Sequence, residues 1–96
     1  MKRHEINVLE TARELIKEGW TEAGMGLIRE FLKSASEKQD EAYYLLGNAY
    51  RKQGNWQEAL NNYTCAIEYN PKSPAAQARI MAYNILDFYN RDMFNL

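Results

Sequence analysis

A single cysteine, Cys65, rules out an intrachain disulfide and, with it, the stapled class of small secreted domains. Cysteine-based zinc spacing is absent for the same reason. Only one histidine is present, His4, and no second one follows it to make a metalloprotease helix or to activate Cys65. The carboxylates recur along helix faces, as Glu10 and Glu14 do, and nothing pairs two of them for acid–base work. The expectation is therefore no enzyme, no cofactor and no metal site. Excess charge is missing too: twelve basic and thirteen acidic side chains leave a net −1, without the cationic surplus that displaces counterions from nucleic acid. No apolar run approaches the roughly 20 residues needed to span a bilayer, and no signal-peptide core is visible. These absences point to a soluble, cytoplasmic chain. Alternation with period two is also lacking, which excludes a sheet.

What remains is helical periodicity in a chain of ordinary globular composition, 46% apolar and 26% charged. Ile6, Leu9, Ala12, Leu15 and Ile16 form the stripe of a first helix, stopped by Gly19. A second runs from about Trp20 to Ser34 with Trp20, Ala23, Leu27, Ile28, Phe31 and Leu32 as its apolar set; Gly24 and Gly26 inside it mark close approach of a neighbouring helix. Ser36 with Gln39 reads as a capping box for a third helix, whose core face is Tyr43, Leu46, Gly47 and Tyr50 and which ends near Gly54. Asn55 with Glu58 opens a fourth helix, carrying Trp56, Ala59, Leu60, Tyr63, Ala66 and Ile67 and ending before Pro71. Ser73 caps a fifth, with Pro74 in its first turn, running to about Asn90 through Ala78, Met81, Ala82, Ile85, Leu86 and Tyr89. Residues 91–96 form a short tail. Connections this short force successive helices antiparallel.

Two glycine–tryptophan turns echo one another. Lys17-Glu18-Gly19-Trp20-Thr21-Glu22-Ala23 aligns with Lys52-Gln53-Gly54-Asn55-Trp56-Gln57-Glu58-Ala59 when one residue is dropped from the first copy. Self-similarity at this spacing signals a helical solenoid. Within the second copy, Tyr43, Leu46-Gly47, Tyr50, Gly54, Ala59, Tyr63, Ala66 and Pro71 occupy every signature position of a 34-residue helical hairpin. The chain therefore resembles the tetratricopeptide-repeat family across residues 40–73. The first copy, residues 5–35, is a degenerate version, with Ala12, Leu15, Leu27 and Ala35 in place of the packing glycine, the tyrosine, the later aromatic and the proline. Residues 74–90 resemble the helix that closes such arrays. The implied fold is all-α: one domain of five antiparallel helices in a right-handed alpha-alpha superhelix, with both tryptophans in the core.

The resemblance also implies a function. First helices of the repeats line a concave groove that takes a protein or peptide. By position the second repeat offers Glu41, Tyr44, Asn48, Arg51 and Lys52. The first offers Ile6, Leu9, Arg13 and Lys17, and the fifth helix Arg79 and Ala82. Some relatives clamp a peptide's C-terminal carboxylate; Asn48 and Arg79 fall on two clamp positions, while Tyr44, Leu45 and Ala75 replace a lysine, an asparagine and a second lysine. Tyr44 stands out as an amphipathic ring of the type enriched at binding hot spots. The alternative to peptide binding is self-association through Met93, Phe94 and Leu96 of the tail, or through an uncovered terminal repeat, giving a monomer or weak homodimer.

Overall fold

The computed structural model describes the backbone of residues 7–94 and the side chains of residues 7–88. Among these residues there are five helices and no strand: α1 (Val8–Lys17), α2 (Thr21–Ser34), α3 (Gln39–Lys52), α4 (Trp56–Tyr69) and α5 (Ala75–Phe94). Ile6 and Leu96 lie outside the described residues, and so do the side chains of Met93 and Phe94. The backbone of α5 continues through Phe94, so residues 91–94 extend the helix instead of forming a tail.

Local chemistry explains most of the boundaries. Asn7 and Asn55 accept from the amides of Glu10 (3.1 Å) and Glu58 (3.2 Å), satisfying one orphan donor at the start of α1 and of α4. The two hairpin turns share one geometry. Gly19 and Gly54 take left-handed φ angles of 102° and 79°. The amides around them close the Schellman pattern: Gly19 to Ile16 and Trp20 to Leu15, Gly54 to Arg51 and Asn55 to Tyr50. Ser73 caps α5, its hydroxyl accepting from the Ala75 amide at 3.0 Å. The start of α3 departs from expectation. Lys38, in a left-handed conformation, precedes it with no side-chain cap, and Gln39 donates back to the Ala35 carbonyl at 3.0 Å. Ser36 lies too early to cap.

Helices α1 and α2 pack as one hairpin, α3 and α4 as the next, and α5 lies against α4. One buried cluster joins the hairpins: Leu9, Ala12 and Ile16 of α1, Met25 and Ile28 of α2, and Ala42, Leu45, Leu46 and Ala49 of α3. A second holds Ala59, Tyr63 and Ala66 of α4 against Ala75 and Ala78 of α5, with Tyr43, Tyr44, Tyr50 and Ile67 packed around it. The radius of gyration is 15.0 Å, against about 13 Å for a compact domain of this length. The stack is open, as an alpha-alpha superhelix requires.

The identical turns fix the register between the hairpins, and it differs from the alignment that matches tryptophan to tryptophan. No residue is missing. Trp20, like Asn55, is the N-cap, and Thr21 takes the place of Trp56. Gly24, Met25 and Ile28 are then buried where α4 buries Ala59, Leu60 and Tyr63. Ile28, not Leu27, replaces the later aromatic, and Ala23 faces solvent. Trp20 is consequently 65% exposed and outside the core, while Trp56 is half-buried.

Volumes complement each other inside each hairpin. A Cβ on Gly47 would run into the Tyr63 ring, 2.5 Å from its Cδ1. A Cβ on Gly24 would lie 2.6 Å from Ile16 Cγ1 and 2.8 Å from the Ala12 carbonyl oxygen. Gly26 has open space around its Cα, so close approach applies to Gly24 alone. On α5 the buried stripe is Ala75, Ala78 and Ala82, small residues that let the helix approach closely. Met81, expected in the core, is 53% exposed, beside Ile80, Tyr83 and Phe88 on the open face.

Candidate functional site

A groove of about 420 Å³ lies between α1 and α3, contributed by Arg13, Ile16 and Lys17 from α1 and Leu45, Asn48, Arg51 and Lys52 from α3. One helical turn separates Arg13 from Lys17, and Asn48 from Arg51 and Lys52, so each helix presents its polar side chains to the other. Ile16 and Leu45 are almost wholly buried and form an apolar floor. Their hydrophobic attachment to the joint cluster holds the two helices at a fixed separation.

Hydrogen bonds set the walls. The Tyr63 hydroxyl, reaching across from α4, donates to Asn48 Oδ1 at 2.6 Å, which leaves the Asn48 amide NH2 as a donor. Burial raises the Tyr63 pKa, so the phenol stays a donor at neutral pH; the nearby Arg51 charge works weakly in the opposite direction. Lys52 Nζ donates to the Ile16 carbonyl at 2.6 Å, and a longer contact of 3.4 Å reaches that of Lys17. It thereby caps the negative end of α1 from the neighbouring repeat. Arg13 pairs with Glu10 at 3.0 Å and reaches Glu41 on α3 at 3.5 Å. Neither Lys17 nor Arg51 forms an ion pair among the described residues.

The structure thus brings Arg13, Asn48, Arg51 and Lys52 together with Lys17. Glu41 stands at the rim, turned toward Arg13. Tyr44 lies outside this groove: half-buried, its ring tilted on Tyr63 at 6.1 Å between centroids, it belongs to the cluster beneath α5. Arg79 is turned away, donating to Thr64 of α4 at 3.3 Å. Of the two clamp positions, Asn48 lines the groove and Arg79 does not. Leu9 and Ala82 are core, 2% and 1% exposed. The floor residues Ile16 and Leu45 were legible only as apolar positions; their register, one turn from Arg13 and Asn48, was the signal that they also front the groove.

Three further connections fasten the hairpins: Gln53 to Glu22 (2.7 Å), Arg29 to the Tyr50 hydroxyl (2.7 Å), and Asn70 to Asp40 (3.0 Å) within the second. Cys65 is half-buried, and burial, then Glu68, pushes its thiol pKa up, which makes it a poor nucleophile. Among the described residues there is no cluster of metal-ligating side chains, and no helix is long and apolar enough to cross a membrane.

The Tetratricopeptide repeat family model matches residues 40–73, the second hairpin. The solution NMR structure of the Bacteroides fragilis protein BF1650 is similar over nearly the whole chain. The two are 56% identical, with 94% of this chain and 91% of that one covered and a TM-score of 0.85. Residues 40–73 are a tetratricopeptide repeat. No curated protein matches it significantly. Tetratricopeptide repeats generally serve protein–protein interaction and are typically non-catalytic.

Proposed function

We propose that this tetratricopeptide-repeat chain is a non-catalytic, cytoplasmic adaptor module that holds an extended peptide segment of a protein partner between α1 and α3. The observation that carries this reading is the groove itself: convergent donors from two repeats above an apolar floor, in a volume of about 420 Å³. Pockets with a few placed polar groups on apolar lining are the usual form of a recognition site. Peptides selected against the folded protein from a display library, titrated into 15N-labelled protein, are expected to shift the amides of Arg13, Lys17, Asn48 and Arg51. Shifts confined to α4 and α5 would remove the groove from the proposal.

A second reading, self-association, is favoured by the open face of α5. One 34-residue period after Leu46, buried in the cluster that joins the hairpins, and Gly47, which faces Tyr63 of α4, stand Ile80 and Met81, 54% and 53% exposed, with Tyr83 and Phe88 also exposed. Contiguous apolar surface of this kind marks an interface, and we assign a second copy of the chain as its occupant. Sedimentation velocity across a hundredfold concentration range is expected to show a dimer that Ile80→Ser with Met81→Ser abolishes; concentration-independent monomer in the wild type removes this reading.

A further inference from the structure

The chemistry of the groove selects among peptides. The polar side chains that line it are chiefly donors. Arg13, Lys17, Arg51 and Lys52 are cations that can only donate, and Asn48 already accepts from Tyr63 at 2.6 Å, which leaves its oxygen one lone pair beside a free-to-donate NH2. No carboxylate lines the groove; Glu10 and Glu41 pair with Arg13 at 3.0 and 3.5 Å. A ligand that offers donors would leave these groups unpaired, whereas one that offers acceptors pairs them. Lys52 is committed to the α1 carbonyls, so the positive charge open to a ligand is concentrated on Lys17, from α1, and Arg51, from α3. The chain as a whole is net −1, so this is a local field and not a general basicity.

We infer that the groove recognises an acidic segment of a protein partner: two carboxylate side chains, one toward Lys17 and one toward Arg51 and the Asn48 amide, flanking an aliphatic side chain seated on Ile16 and Leu45. This rests on the peptide-binding reading above and narrows it. A terminal carboxylate is not required, because the recognising groups lie on both walls and meet side chains along the segment. Bidentate pairing of Arg51 with a carboxylate adds geometric selectivity that a lysine there would lack.

The test uses the full chain and dye-labelled decapeptides, acetylated and amidated, in which aspartates and glutamates surround one central leucine. Fluorescence anisotropy in low salt compares this probe with its asparagine–glutamine counterpart. We expect the acidic probe to bind at least tenfold more tightly, about 1.4 kcal/mol, and to weaken as salt screens the cations. Lys17→Gln with Arg51→Gln, with helicity checked by circular dichroism, is expected to abolish that preference, whereas Lys33→Gln with Lys38→Gln leaves it intact. Equal binding of both probes, displaced by the groove variant, would overturn the acidic preference while leaving peptide binding in place. No binding of the acidic probe overturns it as well. Equal weakening by both double variants would show charge attraction without a site. Binding only when the probe carries a free C-terminal carboxylate would replace the inference with end recognition. Binding that maps to α4 and α5 by amide shifts would overturn both readings at once.

Discussion

At the scale of single residues, the contacts that define the hairpins are contacts of size. Gly47 is fixed by the ring of Tyr63, which is fully buried and anchored through its hydroxyl to Asn48, so the ring has nowhere to retreat. Gly47→Ala is therefore expected to destabilise the chain by about 1–3 kcal/mol despite alanine's better helix propensity. Gly26→Ala, in open space on the same kind of helix, should stabilise by up to about 1 kcal/mol. Urea denaturation of the pair measures both signs. Tyr63 also brings a pH dependence. Burial raises its pKa, so the folded chain holds the phenolic proton to higher pH than the unfolded chain. The folded state then binds more protons between the two pKa values, and stability falls as pH rises above about 10, the unfolded value. Tyr63→Phe should be less stable at pH 7 by about 1 kcal/mol through the lost hydrogen bond. Its melting temperature should fall less steeply between pH 9 and pH 11.

At the scale of helices, the bond between repeats runs through side chains that reach a neighbour's end. Lys52 closes α1 by donating to its last carbonyls. Lys52→Met keeps the aliphatic stem and removes the ammonium, and is expected to lose about 1 kcal/mol of stability, with faster amide exchange in the last turn of α1. Much of this level was legible in the sequence. Helical period, glycine stops, Asn55 and Ser73 as caps, and Pro71 as a break placed all five helices. Two things were not. The first was the register of α2: matching Trp20 to Trp56 outweighed the geometry of the turn, which counts residues from the glycine. Gly24 follows Gly19 by the same interval as Ala59 follows Gly54, and a small residue in each place was the better guide. The second was the rotation of α5. That helix carries two apolar stripes, and periodicity cannot choose between them. The alanine stripe wins because it permits close approach to α4, leaving Met81 outside and turning Arg79 toward Thr64. The α1 and α3 parts of the groove could be read by repeat position; the place of Arg79 depended on that rotation and could not.

At the scale of the whole molecule, stability is shared across the repeats. Ala42, Leu45 and Ala49 of α3 are buried in the cluster with α1 and α2, so the second hairpin owes one face to the first. A peptide spanning residues 38–73 is expected to be largely unfolded by circular dichroism in buffer, although it is the part that matches the family model, because a repeat that exposes such a face does not hold alone. Added trifluoroethanol should restore helix content without cooperative melting.

The exchange of bulk between the two hairpins also limits how this chain can be recombined. Gly47 faces Tyr63 and Ile16 overlies Gly24; counted from the turn glycines, Ala12 and Ile28 hold the places of Gly47 and Tyr63, and Arg51 and Ala59 those of Ile16 and Gly24. A chimaera joining α1 to α4 would set a methyl group against the tyrosine ring and another against Ile16. One joining α3 to α2 would set Gly47 against Ile28, short of atoms, and would put the Arg51 cation where Ile16 packs on Gly24. Each helix is matched to its own mate, so the hairpin, and not the helix, is the smallest part that can be duplicated, shuffled or grafted from this sequence.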